Sequence, residues 1–180
     1  MEQRKILVVD DVPDWREQLR DSLQRSGYEV ETASSYGEAG QKIRNLSDEL
    51  GLVIVDLRLD PTDEENRDGM LLLEQLAEER INALVLTGYG TPELEARANE
   101  LDCIKFMEKG VIGKSLDTLR SIIEAIFDEM EAREQIRGEV RQKFSQGVAV
   151  GYVEEAAGYP LRKLAKSLNS NIEKLYRNVK

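Results

Sequence analysis

Lys5-Ile-Leu-Val-Val-Asp10-Asp11 is the stretch on which the fold of this chain turns. Four aliphatic residues in a row are apolar on both faces of a strand. That suits burial in a parallel sheet covered by helices, not a half-wetted one. The run stops on two acids, and the carboxyl ends of such strands are where open α/β sheets build their sites. The pattern returns further along, at Leu52-Val-Ile-Val55, Ala83-Leu-Val-Leu86 and Cys103-Ile-Lys-Phe-Met107, while Tyr28-Glu-Val-Glu-Thr32 alternates with period two.

Helical periodicity fills the gaps. Pro13 suits a first helical turn, Trp15, Leu19 and Leu23 recur every fourth residue as an apolar stripe on which Trp15 reads as core, and Gly27 marks the stop. Ala39, Ile43, Leu46 and Leu50 predict a helix over 36–50, Met70 to Ala77 a third, and Pro92 opens a fourth at 92–101. A fifth, much longer helix is predicted over 115–145. The strict alternation predicts an α/β fold: a doubly wound five-stranded parallel sheet with right-handed crossovers, followed by an all-α C-terminal extension.

Composition narrows the chemistry. The 180 residues carry 41% hydrophobic and 33% charged residues, an ordinary globular mix with room for one full domain and a small second one. There is no histidine, which excludes histidine triads, histidine metal ligands and a phosphohistidine carrier. The lone Cys103 allows no intrachain disulfide and no cysteine zinc site, and in its apolar strand it reads as inert core. No apolar run is long enough to span a membrane, and Met1-Glu-Gln-Arg-Lys5 shows no signal-peptide pattern, so a cytoplasmic location is expected. The net charge of −10 is uneven. Residues 1–132 carry −15 and residues 133–180 carry +5, which points to two functional units.

Four of the five strands end in a chemically useful residue: Asp10 and Asp11, then Asp56, Thr87 and, just beyond the fifth, Lys109. If strands one and three are neighbours, as in the common order 2-1-3-4-5, their carboxylates converge. Converging carboxylates repel, and a hard divalent cation with oxygen ligands relieves that. A hydroxyl and an ammonium on the next strands supply donors for phosphoryl oxygens, which completes a set for moving a phosphoryl group onto a carboxylate.

With Val8-Val-Asp-Asp11, Val53-Ile-Val-Asp-Leu57, Asp68-Gly69, Leu86-Thr-Gly-Tyr-Gly90 and Phe106-Met-Glu-Lys109 in this order on strand ends, residues 1–125 resemble a response regulator receiver domain of two-component signalling. The resemblance implies a flavodoxin-like sheet of order 2-1-3-4-5. It implies Asp56 as phosphoacceptor, and Mg²⁺ held by Asp10, Asp11, Asp56 and the main-chain carbonyl of Arg58. It further implies Thr87 as switch hydroxyl, Lys109 as the phosphoryl-contacting cation and Phe106 as aromatic switch, with core packing as the plainer reading of Phe106. The phosphoryl donor would be a sensor histidine kinase, and no enzymatic activity beyond self-phosphorylation and autodephosphorylation is expected.

The chain departs from the family in three places. Lys109-Gly110 replaces the usual Lys-Pro. The loop Asp60-Pro-Thr-Asp-Glu-Glu-Asn66 is longer than usual and acidic. Arg58 and Tyr89 are bulky neighbours of the site. Gly110-Val-Ile-Gly-Lys-Ser115 ends like a phosphate-binding loop, but Glu108 stands where that motif requires its first glycine. A haloacid-type aspartyl hydrolase is disfavoured, since Arg58 occupies the place of its second acid.

The long helix carries Leu119, Ile122, Ile126, Met130, Arg133, Ile136, Val140 and Phe144 at near-heptad spacing, interrupted by Arg133. The expectation is a linker helix over 115–145 that pairs two copies into a homodimer; the alternative is an amphipathic helix lying on its own domain. Residues 147–180 form a small basic segment, within which Pro160 to Lys180 reads as two short helices with helix-turn-helix-like spacing. Arg162, Lys163, Lys166, Lys174 and Arg177 are its candidate DNA contacts, and protein–protein interaction without DNA is the alternative output.

Overall fold

A computed structural model of the protein describes residues 5–46, 49–60, 62–63, 65–112 and 116–144; the side chains of residues 137 and 139–144 lie outside that description. The basic segment with Arg162, Lys163, Lys166, Lys174 and Arg177 lies outside the described residues, as does most of the phosphate-loop-like stretch after Ile112.

Strands and helices alternate in the expected order. They are β1 (Lys5–Val9), α1 (Pro13–Arg25), β2 (Glu29–Ala33), α2 (Tyr36–Leu46), β3 (Leu50–Val55), α3 (Asp68–Glu79), β4 (Ala83–Thr87), α4 (Pro92–Glu100), β5 (Lys105–Glu108), α5 (Lys109–Ile112) and α6 (Asp117–Phe144). All five strands are parallel, in the order β2-β1-β3-β4-β5. This is the flavodoxin-like, doubly wound sheet expected.

The core follows from strand alternation. Leu7, Val9, Val53, Val55 and Val85 pack with Ala39 and Ile43 of α2 and Leu72, Leu73 and Leu76 of α3. Ile6, Val8, Ile54, Leu84 and Leu86 project from the other face by the two-residue repeat and are buried too, as are Leu19 and Leu23 of α1. Both faces of the central strands β1, β3 and β4 are dry, so these three read as continuous apolar runs.

Register positions the site. Val9 lies opposite Val55, so the next residues, Asp10 and Asp56, leave adjacent strands side by side. The Asp56 amide donates to the Val9 carbonyl at 2.8 Å, carrying the pairing one residue further. Likewise Thr87 at the end of β4 faces Glu108, one residue before Lys109.

Three expectations are corrected. Helix α2 stops at Leu46, not at residue 50, and Leu50 opens β3 opposite Lys5. Its apolar side chain serves strand pairing, which a helical stripe and a strand start advertise identically. Cys103 precedes β5, where it is buried against the core without belonging to the strand. A short helix, α5, begins at Lys109 itself, so the long helix is preceded by a separate helical turn. Gly27 does end α1, with a φ of 88° that a glycine adopts without strain.

Backbone contacts divide the chain into two units, Met1–Glu124 and Ala125–Lys180. In the first, Leu119 and Ile123 of α6 are buried, and Ile122 is partly so. In the second, Ile126 and Phe127 are buried, Met130 and Arg133 are half-buried, and Ile136 is exposed. No helix among the described residues is long and apolar enough to cross a membrane.

Candidate functional site

Asp10, Asp11, Asp56, Thr87 and Lys109 meet at the carboxyl ends of the strands. Each of the three aspartates offers a carboxylate oxygen within 4.8 Å of the other two. Asp10 and Asp56 are 2% exposed and Thr87 is fully buried, while Asp11 sits nearer the surface. The Lys109 ammonium bridges Asp10 Oδ2 and Asp56 Oδ2 at 2.6 Å each. The Thr87 hydroxyl donates to Asp56 Oδ1 at 2.7 Å, and the Tyr89 amide donates to Thr87 Oγ1 at 3.2 Å. The Arg58 amide also donates to Asp56 Oδ1, at 3.3 Å. Both oxygens of Asp56 are thus held from two directions.

Asp10 is fixed by its backbone as well. Its Oδ1 accepts from the Val12 amide at 3.0 Å, and its carbonyl accepts from Arg16 Nη1 at 2.6 Å. Burial pushes the Asp10 carboxyl up to about 6, although Lys109 opposes the shift. Burial also pulls the Lys109 ammonium down, but Asp56 and Asp10 together outweigh it and raise Lys109 above its ordinary value. A carboxylate this costly to ionise in a dry pocket is one that a cation stabilises.

The close approach of Gly69 to β3 was not legible in the sequence. A Cβ on Gly69 would lie 2.0 Å from the Asp56 carbonyl oxygen and 2.5 Å from Leu57 Cα. The Gly69 amide donates to the Leu57 carbonyl at 3.2 Å. The start of α3 therefore sits directly on the backbone that carries Asp56, and only glycine fits there. In sequence, Asp68-Gly69 stands only as one of the fragments that carry the family resemblance, with no contact attached to it.

The long acidic loop is folded on itself. Asn66 Oδ1 accepts from the amides of Leu59 at 3.0 Å and Asp68 at 3.3 Å, closing its two ends. Asp60 caps Thr62 and Asp63 caps Glu65, so two of its acids work as turn formers. Arg58 and Tyr89 also pair: the guanidinium stacks 3.4 Å from the centre of the Tyr89 ring and donates to its hydroxyl. Trp15, expected as plain core, is only half-buried, with its ring centre 5.1 Å from Lys109 Nζ. Phe106 is partly buried against the core, where a Cβ on Gly90 would lie 3.2 Å from its ring and 3.0 Å from the Glu108 side chain.

A doubly wound parallel sheet with an aspartate pocket, a buried hydroxyl and a buried lysine at its strand ends defines an open α/β domain with its site at the carboxyl ends of the strands. The family model of the response regulator receiver domain matches residues 6–124, and the chain belongs to that family. It is 30% identical over 125 residues to the C4-dicarboxylate transport transcriptional regulatory protein DctD of Pseudomonas aeruginosa, covering 68% of this chain and 26% of that protein. It is 25% identical to the two-component response regulator PprB of the same organism, over 97% of this chain and 55% of that one. The chain thus spans about a quarter and about half the length of these two relatives. A CheY-like receiver domain protein from Methanospirillum hungatei superposes with a TM-score of 0.60 at 26% identity, over 72% of this chain and 98% of that one.

Proposed function

We propose that this chain is a phosphorylation-controlled response regulator in which Asp56 accepts a phosphoryl group from a phosphohistidine of a partner sensor kinase. The observation that carries the proposal is the holding of Asp56: Thr87 on one oxygen, Lys109 on the other, two further carboxylates beside it. In the transfer, an Asp56 oxygen forms the new P–O bond as the P–N bond to the donor imidazole breaks, with the electron pair leaving on nitrogen. The Lys109 ammonium, already at Asp56 Oδ2, is placed to take up charge on the phosphoryl oxygens. The Thr87 hydroxyl is placed to turn from Asp56 Oδ1 to the arriving group.

The all-oxygen, convergent donor set fits a hard divalent ion such as Mg²⁺, with Asp10, Asp11, Asp56 and the Arg58 carbonyl as the residues that would hold it. When bound, that ion neutralises the crowded carboxylates and the charge gathering on phosphate. Loss of the phosphoryl group by hydrolysis completes the cycle. A changed position of Thr87, and of Phe106 on the neighbouring β5, would carry the event to the surface.

For output, α6 runs to Phe144, and its half-buried Met130 and exposed Ile136 support pairing of two copies, while Ile126 is already buried in the single chain. The basic residues Arg162, Lys163, Lys166, Lys174 and Arg177 support contacts to DNA phosphates, with docking on a protein as the other reading. Incubation with magnesium and acetyl phosphate tests the core of the proposal. Intact mass should gain one phosphate in the wild type and none in Asp56→Asn; equal labelling of both refutes it. A salt-dependent DNA-binding assay separates the outputs, since absence of binding at low salt removes DNA.

A further inference from the structure

Lys109 has a neighbour that the phosphorylation chemistry does not use. Its ammonium offers three N–H donors. Asp10 Oδ2 and Asp56 Oδ2, at 2.6 Å each, account for two contacts. The face of Trp15 lies 5.1 Å away, within the range at which an ammonium is attracted to an indole ring. The adjacent residue of the same helical turn, Arg16, holds the Asp10 carbonyl at 2.6 Å. One turn of α1 therefore grips both the lysine and one of its carboxylate partners.

We propose that Trp15 is a positioning residue for Lys109, keeping the ammonium in the pocket while its hydrogen-bond partners change; this rests on the phosphoryl-accepting role of Asp56. During transfer the ammonium must shift from the aspartate oxygens toward a phosphoryl oxygen. A carboxylate or carbonyl in the place of Trp15 would tie it to one direction. A ring face attracts a cation over a broad area and adds no formal charge, so the ammonium can slide without leaving for water. Lysine is a mobile point charge on a four-carbon stem, and needs such restraint more than arginine would.

The test follows phosphorylation of the full chain by acetyl phosphate with magnesium in wild type, Trp15→Phe and Trp15→Leu. A cation–ring contact in a dry site predicts a maximal rate about tenfold lower in Trp15→Leu, with most of it recovered in Trp15→Phe. Magnesium affinity by calorimetry should match among all three, because the indole supplies no oxygen ligand, and all three should stay folded under the assay conditions. A wild-type rate in Trp15→Leu overturns the proposal. So does equal slowing in both variants, or a rate loss that tracks magnesium affinity or stability.

A second measurement needs no turnover. Trp15 is the single tryptophan, so Lys109→Gln should change the emission of the metal-free protein, and unchanged emission overturns the contact. If the wild type itself gains no phosphate, the Asp56 reading falls, and the fluorescence result still decides whether the lysine and the ring meet.

Discussion

The pocket at the strand ends and the distal part of α6 are both drawn from recognisable sequence patterns, yet they differ in how far pattern determines place. In the pocket, register alone puts Asp10 beside Asp56, because Val9 and Val55 are paired. Every group there is then held by a second element: Thr87 from β4, Lys109 from α5, Arg16 from α1. Along α6, the heptad spacing selects a face but no partner. Ile126 and Phe127 are buried, whereas Ile136 is 46% exposed and Arg133, on the same stripe, ion-pairs with Glu129. A sheet transmits position through hydrogen-bond register, while a helix transmits only an angle around its axis.

The most damaging change to the pocket side should be Gly69→Ala. Its methyl would collide with the Asp56 and Leu57 backbone, where nothing can swing aside. A loss of about 3 kcal/mol or more is expected from the urea midpoint, together with slowed phosphorylation. Neutral behaviour would mean that α3 and β3 are less tightly coupled than the geometry shows.

The next effect is electrostatic. Unfolded Asp10 would release its proton near 3.8, folded Asp10 at about 6. The folded state therefore binds more protons across that window, and stability falls as pH rises through it. Linkage gives about 3 kcal/mol for such a shift, part of which is lost when Lys109 loses a charged partner. Without divalent ions, Asp10→Asn should be more stable than the wild type at pH 8 by about 1–2 kcal/mol and equal to it near pH 4. Thermal unfolding at the two pH values measures it. Added magnesium should stabilise the wild type and leave the variant unmoved.

A smaller effect concerns the Arg58–Tyr89 stack, which joins the loops after β3 and β4. Tyr89→Ala should undo this join beside the proposed phosphoacceptor and shorten the phosphoryl lifetime by about threefold to tenfold, read as decay of the phosphate adduct. The smallest concerns α6. Ile136→Glu should abolish self-association in sedimentation if the exposed stripe pairs copies, with no change in the pocket chemistry. Loss of pocket function in that variant would erase the contrast between the two regions.

Strand content, sheet class and the five pocket residues were legible because four of the five strands are short and followed closely by the residue they deliver. Leu50 was not, since one leucine fits equally the stripe of α2 and the first position of β3. Trp15 was read as core from its i, i+4 spacing with Leu19. Spacing reports a face of α1 and cannot report that a lysine ninety-four residues later reaches that face. Gly69 and the Arg58–Tyr89 stack are tertiary contacts between separate loops, and no local pattern announces them.

The clamp made by Asn66 separates the tip of the acidic loop from its roots. Leu59 and Asp68 are held to one side chain, and Gly69 seals the far root onto Asp56. Extra residues grafted between Asp60 and Asp63 would lengthen only the tip, at a closure cost that grows slowly with length. The tip is thus a natural port for a peptide tag or a reporter module that leaves the chemistry beneath it undisturbed.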